Sequence, residues 1–268
     1  MKGFFKMKKL SLLLALIMVL GCCFTLFTAC EKEDGNKDDS GDKGSTSEDK
    51  PYMVCLGDSI TYGQDGAPGK EGEQMRTPYP TIIKNRLKYD VENLAVCGAT
   101  ISTAIKRDDS DGGPSIRPSI FEQIDKIEGT PDIISIMGGV NDSGSVVLGS
   151  DASNNTDKTT FYGALRVMCT QLQTDFPNAY IFFITPLRTK THQDPTAEGD
   201  KLKAVSDAIK KICGEFNIPV YDAFTEIDID FDDPDTSSDG VHIAADVIKD
   251  DVAPKIVQFI KDNYKKGE

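Results

Sequence analysis

Tryptophan is absent from this chain of 268 residues, and histidine occurs only twice, at His192 and His242. Without Trp, any stacking on a sugar face falls to Tyr62, Tyr79 or Phe161. Two histidines far apart in sequence, with no H-E-x-x-H, leave little from which to build a zinc site, so no metal and no cofactor is expected. No G-x-S-x-G occurs, which sets aside an ordinary α/β-hydrolase. Beyond the N-terminal segment the cysteines Cys55, Cys97, Cys169 and Cys213 form no C-x-x-C pair. All four lie in apolar contexts and read as small buried hydrophobes, with Cys55 and Cys97 the one pair to check for a disulfide.

Positive charge is also in short supply. Lys and Arg number 30 against 43 Asp and Glu, for a formal net charge of −13. An acidic domain repels phosphate backbones, which argues against nucleic acid as a partner. At 39% hydrophobic and 27% charged residues the composition is that of a globular protein.

The charge is unevenly placed. Residues 1–29 contain no acid and carry Lys2, Lys6, Lys8 and Lys9 ahead of an apolar run over 10–29. This segment resembles a bacterial lipoprotein signal, in which small residues precede a Cys that becomes lipidated. Thr28-Ala29-Cys30 fits, with Cys22 as a competing site. Cys30 is favoured because the polar stretch begins at Glu31. Residues 31–50 hold no apolar side chain, so 30–50 is expected to be a disordered acidic tether. The chain is thus expected to be exported and held at the bacterial cell surface by a lipid anchor, with 51–268 as its folded domain.

Within 51–268, five short apolar runs read as buried strands: 52–56, 91–96, 132–137, 179–185 and 218–222. They are continuous rather than alternating, as parallel strands covered on both faces are. Helical spacing of apolar residues fills the intervals at 77–88, 115–127, 159–176, 197–216 and 244–264, with Pro254 expected to kink or divide the last. Regular alternation of strand and helix predicts an α/β fold with a five-stranded parallel sheet. Two long polar loops, 64–76 and 143–158, are the expected places for function.

Ligands of such a sheet bind beyond the carboxyl ends of its strands. Gly57-Asp58-Ser59-Ile60-Thr61 follows the first run and Cys97-Gly98-Ala99-Thr100 the second. Gly138-Gly139-Val140-Asn141-Asp142 follows the third, and Asp239-Gly240-Val241-His242 lies between the fifth and the final helix. A serine hydroxyl needs an adjacent base, and that base an orienting partner. Ser59, His242 and Asp239 are the three such groups. Asp239 at position −3 can fix the tautomer of His242, cap the following helix, or do both. An oxyanion needs preorganised donors, which the N–H groups of Ser59 and Gly98 and the amide of Asn141 could supply. His192, in a loop, is read as structural or solvated.

These four blocks together resemble the SGNH (GDSL-type) hydrolase family, with Ile60 where the name-giving motif has Leu. The resemblance implies Ser59 as nucleophile, Gly98 and Asn141 completing the oxyanion hole, and Asp239 and His242 finishing the triad. It also implies a flavodoxin-like three-layer α/β/α sandwich. Asp58 and Asp142 match the pattern as supports of the loops. Polar loops around the expected site, with only Val146, Val147 and Leu148 as an apolar cluster, point to short acyl esters, foremost O-acetyl groups on carbohydrate. A lysophospholipase-like acylhydrolase and a non-catalytic surface protein binding glycan or lipid are the alternatives. Oligomeric state is not legible.

Overall fold

The computed structural model describes residues 50–104, 116–145 and 147–266. The expectations for residues 1–49, including lipidation at Cys30 or Cys22, and for Val146 lie outside the described residues. The described residues belong to one contact unit, Glu48–Glu268.

Five parallel strands form the sheet: β1 Tyr52–Gly57, β2 Asp90–Asn93, β3 Ile133–Met137, β4 Tyr180–Ile184 and β5 Val220–Tyr221. Their order is β2-β1-β3-β4-β5, the flavodoxin-like doubly wound order, with its switch point between β1 and β3. Successive side chains point to opposite faces and every face is covered. Met53 and Cys55 of β1, Ile133 and Met137 of β3, and Phe182 and Ile184 of β4 enter one core. Val54 and Leu56, Ile134 and Ile136, and Ile181 and Phe183 enter the other. Full burial of such a side chain contributes on the order of 1.5–3 kcal/mol, so each central strand is held from both sides.

The first core is closed by helix α2 (Tyr79–Leu87) and the C-terminal helix; the second by α5 (Phe161–Asp175) and α6 (Lys201–Glu215). Among the described residues to this point there are also four one-turn helices: α1 Ser59–Tyr62, α3 Phe121–Ile124, α4 Val140–Ser143 and α7 Ala223–Glu226. The C-terminal segment divides as Pro254 requires. A short turn, α8 (Ala245–Val247), leads into a wide π-helical turn at Ile248–Val252, and Pro254 then sits in the first turn of α9 (Ala253–Asn263), where its missing N–H costs least.

Two expectations are corrected. Of the 13-residue helix expected over 115–127, the described residues 116–127 form a single helical turn at Phe121–Ile124, because the chain ahead of it is engaged elsewhere. Thr100 donates to Pro118 O, and Ile120 donates to Thr100 O, drawing 118–120 alongside the loop after β2. Pro118 also keeps the preceding residue out of helical geometry. The runs 91–96 and 218–222 exceed the regular strands, yet Leu94 and Val96 still donate to Cys55 O and Gly57 O of β1. Among the described residues no helix is long and apolar enough to cross a membrane.

Candidate active site

The carboxyl end of β1 is tightly built. A Cβ on Gly57 would stand 2.4 Å from both Met137 O and Thr61 Oγ1, so only glycine fits. Gln123, fully buried on α3, clasps the same residue from the side: Gly57 N–H donates to its Oε1 at 2.8 Å and its Nε2 donates to Gly57 O at 2.7 Å. Asp58 then caps α1 by accepting from Ile60 N–H at 3.0 Å. Ser59 is the first helical residue, so its N–H has no acceptor within the helix. Its side chain is directed across the sheet edge.

There it meets the loop before α8. His242 Nε2 lies 2.8 Å from Ser59 Oγ, and His242 Nδ1 lies 2.6 Å from Asp239 Oδ2. A carboxylate only accepts, so Nδ1 carries the proton and Nε2 is left to accept from the serine hydroxyl. The second oxygen of Asp239 accepts from the backbone N–H groups of Val241 and His242, each at 2.8 Å. Asp239 therefore shapes the turn and orients the ring together. Partial burial pushes its carboxyl up, but these bonds from His242 and Val241 outweigh burial and hold it below the ordinary carboxylate range. The cap is to this turn; α8 begins only at Ala245.

The loop 64–76 packs on the back of that turn. It is not loose: Asp65 donates to Glu73 O and Met75 to Gly63 O, and Gln64 faces Gln74 in an antiparallel bridge. Gly66 donates to Ile243 O, and Ser238 donates back to Gly66 O at 2.8 Å. Gln64 Nε2 also comes within 3.5 Å of His242 Nδ1. On the far side, Lys190 donates to Gly240 O at 2.8 Å, so the loop after β4 supports the same turn.

Asn141 starts from α4, whose entry at Gly139 takes a left-handed φ of 113°. Its Nδ2 donates to Ala99 O at 3.0 Å, and its Oδ1 accepts from Arg117 Nη1 at 3.3 Å. The amide has a second N–H free for another acceptor. Gly98 lies beside it with a left-handed φ of 78°. Asp142, next in sequence, ties the two loops together by accepting from Ile101 N–H, Ser102 N–H and Ser102 Oγ–H at 3.0, 2.9 and 2.5 Å. Burial dominates both supporting acids. It pushes Asp142 up to about 6 against these hydrogen bonds, and Asp58 up to about 7, with the neighbouring Asp142 adding to the rise.

The structure thus brings Ser59, His242 and Asp239 into one hydrogen-bonded chain, with the loops carrying Gly98 and Asn141 at the same sheet edge. Beside them is a cavity of about 10 Å³, on the scale of one water molecule, lined by Asp58, Ile60, Met137, Val140, Pro186, Leu187, Thr189 and Val241. Among the described residues no group of three His, Cys, Asp or Glu side chains is placed to hold a metal ion. Arg117, Gln123 and Gly66 were not legible as site residues, since each acts on a partner distant in sequence.

Other expectations fall away. Tyr79 and Phe161 are fully buried in the core and cannot stack on a sugar; Tyr62 alone of the three is partly open. Leu148 packs onto the second core and Val147 is 63% exposed, so they do not wall a pocket together. Cys55 is buried, Cys97 is exposed, and both are free thiols. Cys169 and Cys213 are the neighbouring pair, buried between α5 and α6. The reading of His192 as structural stands: it bonds Asp200, the cap of α6, at 2.6 Å.

A model of the GDSL-like Lipase/Acylhydrolase family matches residues 55–246. Among solved structures, a protein of Lactobacillus plantarum is 22% identical with a TM-score of 0.61, over 81% of this chain and 99% of its own. A carbohydrate acetylesterase family member from Sinorhizobium meliloti is 18% identical with a TM-score of 0.55, over 79% and 97%. An aryl esterase of M. smegmatis is 15% identical with a TM-score of 0.57, over 80% and 100%. At such identities the likeness is one of fold. No curated protein matches the chain.

Proposed function

We propose, from the premise that this chain belongs to the GDSL-like Lipase/Acylhydrolase family and is an SGNH-type hydrolase, that it removes short acyl groups, foremost acetyl from carbohydrate, by serine catalysis. The observation that carries the reading is the unbroken chain Ser59 Oγ to His242 Nε2 to Asp239 at 2.8 and 2.6 Å. A binding module has no use for a base aimed at a serine.

In this mechanism Ser59 Oγ attacks the ester carbonyl carbon while His242 Nε2 takes its proton. Asp239 keeps the ring in the required tautomer and stabilises the imidazolium. The carbonyl oxygen, now an anion, is received by the N–H groups of Ser59 and Gly98 and the free N–H of Asn141. Collapse expels the alcohol, which takes the proton back from His242. A water, activated by the same nitrogen, then frees the acid and restores Ser59.

The short-acyl part is supported by the polar loop 64–76 that packs on the turn carrying His242. Each further methylene needs apolar surface to gain about 0.8 kcal/mol. The carbohydrate part is supported by the shared fold with a carbohydrate acetylesterase family member. It is also supported by the N-terminal segment, which we read as placing the enzyme, lipidated at Cys30, at the bacterial surface. There it would meet cell-wall or environmental polysaccharide.

The test is a series of p-nitrophenyl esters and acetylated glycans with the full chain and its Ser59→Ala variant. kcat/KM is expected to fall from acetyl and butyryl to octanoyl. Ser59→Ala is expected to lose about 10⁴- to 10⁶-fold in rate with its fold intact. Preference for octanoyl or longer esters would favour a lysophospholipase-like role. A Ser59→Ala variant keeping a tenth of the activity would remove Ser59 from the chemistry. No turnover of any ester would leave a glycan- or lipid-binding protein.

A further inference from the structure

We propose that Arg117 is a positioning residue that locks the side-chain amide of Asn141 in the one orientation able to receive the oxyanion. The inference rests on the role proposed above for Asn141.

An asparagine amide can be turned over with little change of shape, exchanging its oxygen and its NH₂. Only one of the two orientations offers an N–H to a developing negative charge. Two neighbours decide between them here. Ala99 O, an acceptor, stands 3.0 Å from Nδ2, and Arg117 Nη1, a donor, stands 3.3 Å from Oδ1. Turning the amide over would set oxygen against a carbonyl and NH₂ against a guanidinium, replacing two attractions by two repulsions.

The site is shaped to keep the guanidinium there. A Cβ on Gly98 would come within 3.3 Å of Arg117 Nη1, a distance tighter than ordinary contact, so the glycine leaves Arg117 its place. The segment after Arg117 is pinned to the loop after β2 by Thr100 N–H to Pro118 O and Ile120 N–H to Thr100 O, both 3.0 Å. Arg117 is half-buried and joins a loop otherwise uninvolved in the triad to the residue that carries the free N–H.

The test is a double-mutant cycle on p-nitrophenyl acetate with Arg117→Gln, Arg117→Lys and Asn141→Ala. Asn141→Ala should lower kcat by roughly 10²–10³, as for other oxyanion donors. Arg117→Gln should lower kcat about tenfold, a fraction of that effect, with KM within about twofold. Arg117→Lys, which retains a charged donor, should recover part of the loss. In the Asn141→Ala background, Arg117→Gln should cost nothing further. An equal loss in both backgrounds, or an unchanged kcat, would overturn the proposal, as would loss of the folded near-ultraviolet signal in both Arg117 variants. Failure of the underlying reading is separate: it would show as an undiminished kcat in Asn141→Ala itself.

Discussion

Gly66 and His242 are in backbone contact: a Cβ on Gly66 would fall 1.8 Å from His242 O and 2.2 Å from its carbonyl carbon. No side-chain rearrangement relieves a clash with main chain. Gly66→Ala must therefore push the turn 239–242 away from Ser59 or displace the loop 64–76. A shift of about 1 Å at a catalytic group costs on the order of 10²-fold. The expected outcome is a kcat reduced at least tenfold, with a smaller loss of thermal stability, measured by steady-state kinetics and calorimetry. Wild-type kinetics in this variant would mean that the loop does not hold the base.

Gln123 makes a second prediction. Its two bonds to Gly57 lie in a buried site, where Gly57 N–H donates to Gln123 Oε1. Gln123→Leu leaves that group orphaned. Each buried polar group left without a partner costs about 1–3 kcal/mol. The variant should be destabilised by about 1–3 kcal/mol in urea unfolding and should lose activity, because the strand end that carries Ser59 is no longer fixed. A change below half a kcal/mol would contradict the role.

The pH dependence of stability follows from Asp58. Burial raises its folded pKa to about 7 from an ordinary 3.8, so the fold favours the protonated acid. Its stabilising contribution is complete below about pH 4 and is lost as pH rises through about 7. Asp58→Asn retains an acceptor for Ile60 N–H without a charge to bury. Its stability relative to the wild type should rise between pH 4 and pH 8 by up to about 4 kcal/mol, the linkage limit for such a shift. Urea midpoints of both proteins at the two pH values measure this. A constant difference would show that Asp58 ionises freely in the fold.

What the sequence made legible was local. β1, β3 and β4 carry their burial on both faces, so unbroken apolar runs announced them. Ser59, Asn141 and the Asp239–His242 pair sit in short motifs at the ends of those runs. The helix expected over 115–127 misled because its apolar spacing is real, while Pro118 and the bonds to Thr100 override it. Tyr79 and Phe161 begin the helices expected over 77–88 and 159–176, in step with Ile83 and Leu165 four residues on, so they belong to buried apolar faces and not to the open site. Arg117, Gln123 and Gly66 act on partners 24, 66 and 177 positions away. Such pairings depend on the folded path of the chain, not on spacing within a motif.

The two halves of the proposed catalytic machinery are not equally durable. Ser59 stands at the end of a strand sealed on both faces and is 4% exposed. Asp239, by contrast, has 45% of its side chain in water, and its turn is held mainly by Ser238 to Gly66 O, Lys190 to Gly240 O and Ala244 to Thr236 O. Segments fastened by a few hydrogen bonds open at lower free energy than a sheet covered on both faces. His242 is therefore expected to part from Ser59 before the protein unfolds. In a denaturant titration, activity should vanish at a lower concentration than the far-ultraviolet signal of the sheet and helices. An inactivated enzyme of this kind would be largely native and would recover as soon as the turn closed again.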